Sequence, residues 1–266
     1  MSDSGYVYAA TADYVHTRQF RGSSFFLADL GGARFRDCEL NDVRFVDCIV
    51  SDVVIAGDVQ RLVVNDVDVT DYVEGELDRR YPERVPIRAL RTAPAPRAED
   101  VRALWAIVEQ RWAETAARAE RLPEPALHDR VDGEWSFVET LRHLTFATDA
   151  WASRTILDQE RPYHPLGLPA GGYPADAAVE IGLDLGAQPS YADVLEARHS
   201  RQDVARAIVA DLTDADLSRM CTRTPGPGYP EEPVAVLRCL RVVLNEETEH
   251  RRYAERDLTV LEQRLA

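Results

Sequence analysis

The sequence predicts two domains: an N-terminal solenoid over residues 1–72 and an all-helical bundle over residues 98–266, joined by a linker at 73–97. Three observations carry this reading. Bulky apolar residues recur at every fifth position from Phe20 to Ile55, charge and proline then replace that period, and from Ala98 onward apolar residues recur at helical spacings of three and four. Neither a helix nor an ordinary strand generates a five-residue repeat, so the first pattern calls for stacked coils.

The repeat runs through Phe20, Phe25, Leu30, Phe35, Leu40, Phe45, Val50 and Ile55, with compact residues such as Ala28, Ala33, Cys38 and Cys48 two positions ahead of several of them. Segments such as "ADLGGARFRDCELNDVRFVDC" resemble the pentapeptide-repeat family. The resemblance implies a right-handed, four-sided parallel β-helix, to which the eight units between about residues 18 and 57 contribute about two turns. Residues 6–17 and "LVVNDVDV" are candidate extensions. The same resemblance implies that the large residues stack inside as ladders, with Cys38 and Cys48 as interior fillers on opposite faces and no disulfide between them.

Residues 71–97, "DYVEGELDRRYPERVPIRALRTAPAPR", read as a short helix or extended link followed by a Pro-rich linker. Four helical patterns follow. The first spans about 98–121, with Trp105 and Trp112 a heptad apart. The second opens at Ser136, where Glu139 completes a capping box, and continues to about Leu157. After a long loop, which is a candidate lid or pocket wall, the third begins beyond Ser190, with Asp193 in the box position, and runs to about Leu212. The fourth covers about 234–265. A bundle with one long crossover accommodates a metal site in its core.

The fourth helix contains an anomaly. Leu237, Leu240, Leu244, Ala254, Leu258 and Leu261 share one stripe, yet the stripe positions between them are Glu247 and Arg251, with Glu246 and His250 beside them four residues apart. On the second helix His143 has Glu139 one turn before it and the small Ala147 one turn after. Either these groups build a metal centre, or Glu247 and Arg251 form a buried i,i+4 ion pair within a polar network that fixes helix register.

"EWSFVETLRHLTFATDAW" together with "EETEHRRYAERDL" resembles the DinB-like family, which includes bacterial thiol S-transferases. The resemblance implies a divalent metal held by a His on the second helix and an HxxxH pair on the fourth. His143 and His250 match two of these ligands, and Glu246 stands where the family has the other His. Two imidazoles and a carboxylate suit Zn, Ni, Fe or Mn. Glu247 is the competing ligand; whichever carboxylate does not ligate is available as a base, and Glu247 or Tyr253 is the candidate catalytic proton carrier. The family further implies transfer of a low-molecular-weight thiol, such as mycothiol, to a small electrophilic substrate, or hydrolysis of that substrate. The competing reading is a non-enzymatic scaffold whose β-helix is a docking or dimerisation surface, hence a possible homodimer.

Composition narrows the partners. The formal charge is −15 and all 31 basic residues are arginine, so a nucleic-acid partner is not expected. The N-terminus lacks a basic segment followed by an apolar core, and no apolar run reaches bilayer length, so a cytoplasmic protein without a membrane partner is expected. Cys221 and Cys239, like Cys38 and Cys48, form no close CxxC pair and read as reduced thiols. His16, His128, His164 and His199 have no comparable partners and read as structural or surface residues.

Overall fold

The computed structural model describes Tyr14 and residues 17–266, apart from 37, 58, 94 and 230, and without the side chains of 91 and 92. Most of residues 6–17, considered above as an extension of the repeat, and His16 fall outside the described residues. The chain divides into two compact units, Met1–Asp52 and Val53–Ala266.

The expected β-helix is not formed. Among the described residues the only strands are four two-residue ones: β1 (Val63–Val64) pairs with β2 (Val67–Asp68), and β3 (Met220–Cys221) with β4 (Val234–Ala235), both antiparallel. The sequence period is nevertheless present in the backbone: Gly22, Leu27 and Gly32, and again Asp42, Asp47 and Asp52, have positive φ at five-residue steps. What is missing is a ladder and an interior. The eight repeat residues from Phe20 to Ile55 are each 41–69 % exposed, and Cys38 and Cys48 are exposed rather than interior. A solenoid core requires layers above and below each bulky side chain, and about two turns do not supply them.

The stretch between the repeat and residue 98 begins with a short helix, one of the two forms expected there, and a second helix follows where a Pro-rich linker was expected. α1 (Thr70–Arg80) and α2 (Arg84–Thr92) are joined by Arg88, which binds Glu74 and Asp78. Ile87 and Leu90 of α2 are buried in the main core. Then come α3 (Ala98–Ala119), the short α4 (Glu124–Leu127), α5 (Phe137–Thr148), a π-helical continuation over Asp149–Ile156, α6 (Ala175–Glu180), α7 (Tyr191–Asp211), a 3-10 turn at Asp216–Ser218 and α8 (Val236–Leu265). Both anticipated capping boxes are made: Ser136 Oγ accepts from Glu139 N at 3.2 Å, and Ser190 Oγ from Asp193 N at 3.2 Å.

α3, α5, α7 and α8 pack together around one core. Leu104, Val108 and Trp112 of α3 meet Leu141 and Leu144 of α5, Val194 and Ile208 of α7, and Leu240, Val243 and Leu258 of α8. Each such side chain contributes roughly 1.5–3 kcal/mol by leaving water. Arg118 fastens α3 to α8 through Glu255 and Glu262. Among the described residues no helix is long and apolar enough to cross a membrane.

The second helix departs from the expected uninterrupted α-helix. From Asp149 its hydrogen bonds widen to a five-residue step, as in Leu157 N to Ala152 O at 3.1 Å, with the Thr155 hydroxyl adding a bond to Ala150 O at 2.9 Å. Asp149 is buried there, accepting from Arg201 Nε at 2.9 Å and from the backbone N–H of His164 at 2.8 Å. Burial raises its pKa to about 6, although Arg201 pulls the other way. The folded chain therefore holds a proton on Asp149 between about pH 4 and 6 where the unfolded chain does not, and the stability this contributes is lost as pH rises through that window. Relative to the parent, Asp149→Asn is expected to gain stability between pH 4 and pH 7 by up to ~3 kcal/mol. Urea midpoints at the two pH values check this; parallel pH dependence in both proteins would show that Asp149 titrates normally.

Candidate metal centre

α5 starts at its capping box and is buried along nearly its whole length, including the polar residues Arg142 and His143. These two side chains grip the crossover loop that leads to α7. Arg142 donates from Nε to Leu166 O at 2.8 Å, from Nη1 to Ala187 O at 3.1 Å and from Nη2 to Asp184 O at 3.1 Å, while Leu168 N donates to Arg142 O at 3.1 Å. Gly167 permits this approach: a Cβ there would lie 3.1 Å from His164 O and 3.4 Å from the Cβ of Phe146. The loop is thus a wall tied to α5, consistent with its expected role as more than a connection.

That wall fixes the state of His143. Its Nδ1 lies 2.9 Å from Leu168 O, an acceptor only, so Nδ1 carries a hydrogen. In the neutral ring Nε2 then presents a lone pair, and it points at Glu246 Oε2, 3.2 Å away. His250 Nε2 reaches the same oxygen at 3.1 Å from one helical turn along α8. The three donor atoms lie within 4.8 Å of one another. A carboxylate oxygen facing the lone pair of a neutral imidazole is stable only with positive charge among them, either a proton on a ring or a cation held by all three donors. Two imidazole nitrogens and one carboxylate form a donor set that divalent transition metals accept, so the residues fit such an ion.

Electrostatics support the same arrangement. Burial acts to raise the pKa of Glu246, but the two neighbouring imidazoles outweigh it and bring the carboxyl down to about 2, so the donor is an ionised carboxylate. Burial pushes the His250 imidazole below its ordinary value, which favours the neutral, ligating form. Trp135, immediately before the cap of α5, covers both rings, with centroids 4.6 Å from His143 and 5.7 Å from His250. Glu246 has the most exposed side chain of the three and marks the side open to solvent.

Glu247 points elsewhere. It is 1 % exposed and paired with Arg198 of α7, itself 2 % exposed, while its backbone carbonyl accepts from Trp112 Nε1 at 3.1 Å. Burial raises its pKa against the opposing pull of Arg198. The alternative Glu247–Arg251 pair is not made, because each side chain finds a partner on another element: Arg251 binds Glu83 ahead of α2 and donates from Nε to Thr115 Oγ1 of α3 at 2.9 Å. Tyr253 lies beside the cluster, its ring centroid 6.0 Å from that of His250 and flanked by the guanidinium carbons of Arg252 at 4.5 Å and Arg256 at 5.4 Å. Chiefly through burial its phenol pKa is raised.

Sequence reasoning missed Arg142, Arg198 and Trp135. Arg142 is adjacent to His143 between Leu141 and Leu144, which was an available signal, and Trp135 directly precedes the capping box; nothing local distinguishes Arg198. His164 shapes the loop, its Nδ1 accepting from Leu166 N at 3.2 Å.

No curated protein matches the chain. No solved structure matches it either. A family profile, that of the DinB superfamily, matches residues 107–254, more than half of the 266 residues and inclusive of His143, Glu246 and His250. The chain therefore belongs to the DinB superfamily, whose members often bind a divalent metal.

Proposed function

We propose that the chain is a metal-dependent enzyme that transfers a low-molecular-weight thiol to a small electrophile, or hydrolyses one, at His143, Glu246 and His250. The observation that carries this reading is the convergence of the three donors, with the His143 tautomer fixed by Leu168 so that its lone pair faces inward. A Zn, Ni, Fe or Mn ion held there supplies Lewis acidity that lowers the pKa of a thiol or water.

The chain's own groups have separable parts. His143 and His250 give neutral nitrogens, and Glu246 gives a negative charge that a third imidazole would not. Glu246, whose side chain is the most exposed of the three donors, faces the side from which the thiol or water enters. Tyr253, kept protonated by burial, is a donor for the leaving group. Glu247, held by Arg198, acts by fixing the rotation of α8. Trp135 shields the two rings and keeps water from one side.

Metal analysis of untagged protein, followed by a thiol-consumption assay with mycothiol and a panel of alkyl halides and epoxides, tests both halves. Stoichiometric metal and metal-dependent thiol loss are expected. A protein that takes up no metal on titration sinks the centre, and a loaded protein that neither consumes thiol nor hydrolyses the panel sinks the activity.

A further inference from the structure

The unit Met1–Asp52 leaves uncovered what folding ordinarily buries. Thirteen large apolar side chains between Tyr14 and Val50 are each at least 41 % exposed. At very roughly 100 Å² apiece, Phe25, Leu30, Phe35, Leu40, Phe45 and Val50, which recur at one phase of the period, expose an area on the order of the ~800 Å² per partner of a stable interface. The five-residue backbone period makes successive rungs equivalent, and the rings of Phe20 and Phe25 sit 6.0 Å apart.

Charge indicates what covers this surface. Residues 17–36 hold four arginines against one aspartate, net +3, whereas residues 39–52 hold four acidic residues against one arginine, net −3. A second copy running antiparallel sets each basic half against an acidic half, and a parallel copy opposes like charges. The side chains agree with that register. A two-fold axis between positions 37 and 38 opposes Phe25 with Val50, Leu30 with Phe45 and Phe35 with Leu40, an aromatic against an aliphatic residue each time. We propose that the chain forms a homodimer through residues 20–50, paired antiparallel about an axis beside Cys38. This inference is independent of the metal centre.

The axis gives the dimer a signature. Cys38, which is exposed, comes next to its own copy, while Cys48 comes opposite position 27. A parallel dimer would bring both cysteines next to their copies. The full chain is examined by sedimentation equilibrium and by cross-linking with a short bismaleimide. A dimer is expected, cross-linked in the Cys48→Ser variant and not in Cys38→Ser. Phe25→Asp with Phe45→Asp should raise the dimer dissociation constant by at least ~100-fold. Arg34→Glu with Arg36→Glu, which leaves the apolar rungs intact, should raise it by ~10-fold or more, less so at high salt. A monomer at every concentration overturns the proposal, as does a larger open oligomer. Cross-linking that survives Cys38→Ser overturns the antiparallel register, and charge variants that dimerise like the parent overturn the electrostatic pairing.

Discussion

His143→Ala and His250→Ala are each expected to yield folded protein that has lost its metal. Three protein ligands leave no redundancy, so affinity should fall by more than the ~10–100-fold that follows loss of an outer-shell partner. His143 is buried with Nδ1 on Leu168 O, so its removal also leaves that carbonyl unpaired, at a cost of about 1–3 kcal/mol. Thermal melts of the metal-free parent and variant separate this structural loss from the loss of binding. Glu246→His should keep the metal, since imidazole is a good donor for late divalent ions, while Glu246→Gln should weaken binding by removing the only negative charge among the three donors. Glu247→Gln should leave occupancy nearly intact, because its carboxylate faces Arg198. Equilibrium titration with Zn and Ni ranks the variants. Parent-like affinity in both histidine variants would remove the metal centre, and an emptied site in Glu247→Gln alone would transfer the ligand role to that residue.

The helices and the grouping of His143, Glu246 and His250 were legible because local chemistry specifies them. Ser136 with Glu139, and Ser190 with Asp193, announce helix starts whatever the tertiary context, and both boxes are made. Carboxylates and an imidazole on an otherwise apolar stripe marked the part of α8 that meets His143. The partners were not legible, because Arg198 and Leu168 reach Glu247 and His143 only after α7 and the crossover loop have packed. Pro86 disguises the second helix of residues 73–97. It sits in the first turn of α2, where a missing N–H costs nothing, and the following Ile87 and Leu90 enter the core. In the N-terminal unit the five-residue period specified a repeating backbone conformation, as the positive φ values at 22, 27 and 32 and at 42, 47 and 52 attest. Such a period does not determine whether the bulky side chains have layers above and below them. The error lay in inferring an interior from a repeat.

The pair Arg198–Glu247 should give the largest stability effect of a single substitution near the centre. Both side chains are almost wholly buried, and on the Glu247 side the backbone is also held by Trp112. Glu247→Leu removes the countercharge of a guanidinium that has no route to water, and should destabilise the chain by ~3–5 kcal/mol. Glu247→Leu combined with Arg198→Met removes both charges and replaces them with apolar volume, so most of that loss should be recovered, because the attraction within a buried pair roughly offsets its desolvation. Denaturant midpoints for the parent, both single variants and the double variant form a cycle whose coupling term isolates the pair. Metal titration on the stable double variant then addresses function. If the ion pair sets the rotation of α8, Glu246 and His250 should bind metal more weakly there even though stability has returned. Parent-like affinity would mean that Trp112 and the apolar stripe position α8 on their own. A single variant as stable as the parent would show that Arg198 reaches another acceptor, and that the pair does not hold α7 against α8.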